Sequence, residues 1–142
     1  MLSIPNEGYD TPNIKKNIMW CEETFTELGF DVERVMAKST SPMMPNHPLL
    51  IANKFISKNY KTVLIYFHMD GQPVDPSKWN QENPFIPILS ENINGKWIEI
   101  ERNKIKNNPN PDWRIFGRST SDDKGPPMML VNCLLYTSDA AD

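Results

Sequence analysis

The 142-residue chain has two cysteines, Cys21 and Cys133, too few for the disulfide framework that braces many small secreted domains. It has no apolar run near the ~20 residues needed to cross a bilayer as a helix. Its start lacks a basic segment followed by an apolar signal core. The expectation leans to the cytoplasm, although a leader upstream of Met1 would lie outside this sequence. A strong excess of either charge is absent too. The formal net charge is −3, which gives no electrostatic ground for expecting nucleic acid or an anionic membrane as partner. No internal repeat is apparent. Thirteen prolines are many, but they gather at turns rather than in a low-complexity tract. With 39% hydrophobic residues, the chain can build one domain with its own core.

Hydrophobic periodicity supplies the elements. A helix is expected from Asp10 or Thr11, with Pro12 in its first turn and Gly29 as its stop. Ile14, Ile18, Cys21, Phe25 and Leu28 follow helical spacing and should face the core. A short strand over 30–36 and a Pro/Ser-rich loop through Pro48 come next. A second strand is expected over 49–56. The run Thr62-Val63-Leu64-Ile65-Tyr66-Phe67 reads as a buried strand. From Gly71 to Pro87 the prolines mark a surface loop that Trp79 and Phe85 should pin down. Trp97-Ile98-Glu99-Ile100 reads as a strand and Asn107-Asn108-Pro109-Asn110-Pro111 as turns, with Ile115-Phe116 returning to the sheet. This order suits a layered α/β domain with a mixed sheet.

The chemistry starts where the apolar hexad ends, at His68-Met69-Asp70. Residues two apart on an extended backbone share a face. Such a His could bind a metal through one ring nitrogen while nearby carboxylates hold and polarise it. An H-x-D triplet alone is weak. Here it continues as Gly71-Gln72-Pro73-Val74, and a second block follows, Ser119-Thr120-Ser121-Asp122-Asp123-Lys124-Gly125-Pro126, with Asp122 fifty-four residues after His68.

The two blocks, in that order over residues 3–132, resemble the dinuclear zinc hydrolases that include carnosinase-type dipeptidases, aminoacylases and acetylornithine deacetylases. The H-x-D-x-Q-P-V and S-D-D-K-G-P forms are most similar to the dipeptidase branch. The resemblance implies the N-terminal part of a three-layer α/β catalytic domain with a mixed central sheet. It implies that His68 ligates one zinc and that Asp122 bridges two. Asp70 is implied to take the other His68 ring proton, fixing the tautomer, and is counted as catalytic in that sense. A cis peptide between Asp122 and Asp123 is implied as well. The alternative for this block is an acidic turn capping a following helix.

Two zinc ions about 3.5–4 Å apart need more ligands than one His and one Asp. Relatives place a Glu-Glu pair, a further acidic ligand and a final His later in the chain, together with an inserted dimerisation domain. None has a position in 1–132. The expectation is therefore a longer parent, homodimeric through that further domain, which hydrolyses dipeptides or short peptides, while this chain alone is inactive for want of a base. Alternatives are an N-acyl amino acid amidohydrolase or a non-catalytic binding or scaffold protein of the same fold.

Residues 133–142 are similar to the translation of a transposase-adapter end from DNA library preparation and are expected to be a non-native, peripheral tail. Setting them aside removes Asp139 and Asp142 and leaves residues 1–132, which the resemblance implies to be a partial peptidase catalytic domain, with a charge of −1. Other eye-catching residues carry less. His47 reads as a loop His, and Glu22, Glu23, Glu99 and Glu101 as solvated structure. Met43, Met44, Met128 and Met129 read as packing or loop residues. Arg118 and Lys124 flank the second block and are expected to stabilise nearby carboxylates.

Overall fold

Asp10 opens the first helix, α1 (Thr11–Glu27), by accepting the backbone N–H of Asn13 on its side chain at 3.2 Å. The chain is described by a computed structural model over residues 1–43 and 45–139; Met44 and residues 140–142 of the expected tail lie outside the described residues. The apolar stripe of α1 is the expected one, with Ile14, Ile18, Cys21 and Phe25 buried and Leu28 partly buried beside them. The helix ends as glycine placement predicts. Gly29 takes φ +78°, its N–H donates to Thr26 O at 2.9 Å, and the Phe30 N–H donates to Phe25 O at 3.0 Å. These are the two bonds of a Schellman stop. The accompanying apolar contact is present too, with the Phe25 and Phe30 rings edge-on at 5.4 Å.

Phe30 delivers the chain into β1 (Asp31–Ala37), antiparallel to β2 (His47–Asn53). Register sets both ends: Asp31 faces Asn53 and Ala37 faces His47. That is why β2 starts earlier and stops sooner than 49–56, and why His47, expected in a loop, is its first residue. Val32, Leu50 and Ala52 turn inward against Ile18, Cys21, Phe25, Met69 and Val131. This is the core, and Met69 places the His68 block directly on it.

The buried strand expected over 62–67 is corrected. No ladder hydrogen bond pairs it among the described residues, and Val63, Leu64 and Tyr66 are 78%, 93% and 82% exposed. A hydrophobic hexad becomes a strand only beside a partner, and β2 has β1 as its one neighbour. Only Phe67 reaches the core, stacking on Phe25 at 6.5 Å. A cleft of about 900 Å³ opens along the segment, with Phe55, Tyr60, Val63, Ile65 and Leu130 among its walls.

The loop from Gly71 contains a 3-10 turn at Pro76–Lys78, and Phe85 is buried as expected, with Trp79 half-buried. A second sheet follows, with β3 (Ile88–Ile93) between β4 (Lys96–Ile100) and β5 (Arg114–Phe116), all antiparallel. Asn94 and Gly95, at φ +53° and +83°, make the two-residue turn joining β3 to β4. One helical turn, α2 (Lys104–Asn107), ends on Asn107, the first residue of the expected turn cluster. The architecture is thus mixed α and β with two antiparallel sheets of two and three strands. In place of one mixed sheet, the parallel pairing among the described residues is the isolated bridge between Glu7 and Gly71.

The last element, α3 (Gly125–Asp139), begins at the second motif. A Cβ on Gly125 would sit 2.6 Å from Thr120 O, so the tight turn into α3 requires glycine here. Residues 133–139 continue this helix. Leu134 packs against the core cluster, whereas Cys133 and Tyr136 are exposed.

Candidate functional site

His68 stands at the point where the chain leaves the apolar segment for the core, with Met69 buried immediately after it. Its backbone N–H donates to the Asp123 carboxylate at 2.9 Å, which ties the first motif to the second. His68 Nδ1 lies 2.9 Å from the Asp70 carbonyl oxygen and 3.3 Å from the Asp70 carboxylate. A carbonyl only accepts, so Nδ1 carries the hydrogen and the neutral ring leaves its Nε2 lone pair free. Nε2 points toward the second motif, 3.3 Å from Asp122 Oδ1 and 3.9 Å from Asp123 Oδ2.

The electrostatics follow from that arrangement. Partial burial disfavours the imidazolium. The Asp70 carbonyl and the Asp123 and Asp70 carboxylates outweigh it and hold the His68 pKa above its ordinary value. Protonated, the ring is an ion-pair partner for the surrounding aspartates; neutral, it offers Nε2 as a donor atom on the side of Asp122.

The three residues singled out from the sequence, His68, Asp70 and Asp122, therefore come together. Asp70 differs in detail, since its backbone carbonyl is nearer to Nδ1 than its carboxylate is. The Asp122–Asp123 peptide bond is cis, as the resemblance implies. Asp122 projects outward with its side chain 89% exposed, while the Asp123 side chain is largely buried against the His68 amide. The turn does precede a helix, as the capping alternative has it, but the Asp123 carboxylate is engaged with His68.

Arg118 and Lys124 are corrected: the bonds they make go to backbone carbonyls rather than carboxylates. Arg118 donates to Gln72 O at 2.7 Å, joining the two motif loops a second time. Lys124 is fully buried, and its ammonium donates to the carbonyls of Ile4 and Met1. Burial pulls its pKa down to about 8. Glu22 forms a surface pair with Arg34, and Glu23, Glu99 and Glu101 have solvated side chains or are partly so, in keeping with a structural role. Met43 and Met129 are exposed and Met128 is half-buried.

Sequence reasoning missed the N-terminal segment. Asn6 and Glu7 both contact the loop after His68, Glu7 by accepting the Val74 N–H at 2.8 Å. A buried Asn has no periodic or motif signature, so nothing in Ile4-Pro5-Asn6-Glu7-Gly8 flags it.

The donor set suits zinc in kind but falls short in number. An imidazole nitrogen and a carboxylate are ordinary zinc ligands, yet a zinc site uses three or four protein groups. Among the described residues no group of three or more His, Cys, Asp or Glu could hold a metal ion. Asp123 is committed to the His68 amide and Asp70 lies on the Nδ1 side of the ring, which leaves His68 and Asp122 as half of a site. No protein-family model, curated protein or solved structure matches the chain.

Proposed function

We propose that this chain is the ligand-bearing N-terminal part of a dinuclear zinc hydrolase that cleaves dipeptides or short peptides. The observation that supports the reading is the approach of His68 Nε2 to within 3.3 Å of the Asp122 carboxylate. The two side chains are brought together by separate loops that carry the H-x-D-x-Q-P-V and S-D-D-K-G-P blocks.

In this reading His68, through Nε2, and Asp122 would hold zinc, and Asp70 would keep the ring turned so that Nε2 is presented to it. Asp123 holds the His68 backbone against the second loop. When bound, zinc would supply an acidified water and polarise the scissile carbonyl. Two donors are too few for that, so a longer parent contributes the remaining ligands and the general base, and this chain alone turns nothing over.

A zinc titration of the 142-residue chain, followed by calorimetry alongside a dipeptide hydrolysis assay, tests the reading. Weak zinc binding that disappears in both His68→Ala and Asp122→Ala, without turnover, is the expected outcome. Binding indifferent to both substitutions would overturn it. A longer reading frame lacking a Glu-Glu pair downstream would point instead to a non-catalytic protein.

A further inference from the structure

Asn6 lies 1% exposed between the two motif loops and bonds to both. Its amide nitrogen donates to the carbonyl of Met69, the residue between His68 and Asp70, at 2.8 Å. Its amide oxygen accepts the Ser119 hydroxyl at 3.0 Å, three residues before Asp122. Its backbone oxygen accepts the Gly71 N–H at 2.7 Å, and Gly71 O in turn accepts the Gly8 N–H at 2.9 Å. One buried side chain thus spans sequence separations of 63 and 113 residues.

The packing leaves little slack at this junction. A Cβ on Gly71 would meet Ser119 Oγ at 3.1 Å and Asn6 Nδ2 at 3.3 Å. Ser119 holds φ +63°, an uncommon backbone region for a non-glycine residue, and its carbonyl accepts the Lys124 N–H at 3.0 Å. An amide is suited to this place because it donates on one side and accepts on the other without a charge to bury.

We infer that Asn6 is a positioning residue that sets the separation between the His68 loop and the Asp122 loop. Without it the Met69 carbonyl and the Ser119 hydroxyl lose their common partner, and the loops are joined chiefly by His68 N–H to Asp123 and by Arg118 to Gln72. Its bearing on zinc rests on the proposed function; its bearing on loop docking does not.

The experiment compares the 142-residue chain with Asn6→Ala, Ser119→Ala and the double variant, by residue-resolved amide hydrogen exchange without metal and by zinc calorimetry. The His68 amide, which reports contact with Asp123, should exchange about tenfold faster in Asn6→Ala, the effect of losing roughly one hydrogen bond. The Ile18 and Cys21 amides of α1 should keep their rates. Ser119→Ala should move His68 the same way by less, and the double variant should be no worse than Asn6→Ala. Zinc affinity should fall in step. Should Asn6→Ala not fold, Ser119→Ala carries the test alone. Unchanged His68 exchange, or exchange that rises equally throughout α1, would overturn the positioning role. Absence of zinc binding by the unaltered chain would sink the proposed function and leave the exchange result to decide this inference.

Discussion

His68 Nε2 and Asp122 Oδ1 stand 3.3 Å apart although fifty-four residues of chain separate them. The contact depends on two loops meeting at the rim of the core. On one side Met69 anchors His68 to the cluster around Cys21 and Phe25. On the other, the turn into α3 presents Asp122 outward and Asp123 inward.

If the proposed function holds, His68→Ala and Asp122→Ala should each nearly abolish peptide hydrolysis in a longer protein that carries this region. Asp70→Ala should lower turnover or metal affinity by about 10–100-fold, as expected for a group that orients a ligand rather than binding metal. Steady-state kinetics with metal content measured on the same preparations checks the ranking; an Asp70 variant as inactive as the other two would place Asp70 on the metal.

Cys21 and Cys133 should differ sharply in reactivity. Burial pushes the Cys21 thiol up to about 11, whereas Cys133 is exposed. At neutral pH a thiol reagent should label one site quickly and the second only as fast as the chain opens. The folded state also keeps its Cys21 proton where the unfolded chain, titrating near 9.0, has lost it. Stability relative to Cys21→Ala should therefore fall as pH rises from about 9 to about 11. Denaturant melts of both proteins across that window measure the difference.

Lys124 should act in the opposite sense. Its pKa drops from 10.5 in the unfolded chain to about 8 in the fold, so between those values the unfolded chain binds more protons. Its unfavourable contribution is complete below about pH 8 and is relieved as pH rises toward 10.5. Lys124→Met should remove this rise, which a comparison of pH-dependent melts would reveal.

Phe25→Ala should cost about 3–5 kcal/mol, because it empties a core position. It also removes the ring that meets Phe30 at the end of α1 and Phe67 beside the first motif. Urea unfolding followed by circular dichroism gives the value; a cost under about 1 kcal/mol would mean that the core can collapse around the gap.

The tail should divide at Leu134. Removing residues 136–142 should leave the thermal midpoint nearly unchanged, whereas ending the chain at Asn132 should lower it by a few degrees, since Leu134 touches the core. Equal midpoints for the two truncations would make Leu134 dispensable.

Local rules made α1 legible from end to end: Asp10 as cap, Pro12 in the first turn, Gly29 as stop and an apolar stripe from Ile14 to Leu28. The meeting of His68 with Asp122 was legible through the resemblance rather than through periodicity. Asn94-Gly95 carries the strong signal for a tight hairpin, yet the polar stretch around it suggested one strand where there are two. What could not be read was partnership. Asn6 owes its role to carbonyls and hydroxyls 63 and 113 residues away. The residues at 62–67 have every local preference for a strand and no neighbour among the described residues to form one with.

That segment also governs how the chain behaves in a tube. Thr62-Val63-Leu64-Ile65-Tyr66-Phe67 is uncharged and free of proline, and carries none of the lysines or bulges that keep sheet edges apart. Five of them, Thr62 to Tyr66, lie open to solvent beside a greasy cleft and form an adhesive strip able to recruit another copy of themselves. Concentration then becomes a hidden variable. Dense samples should drift toward stacked, dye-binding fibres, and Leu64→Lys should keep them clear.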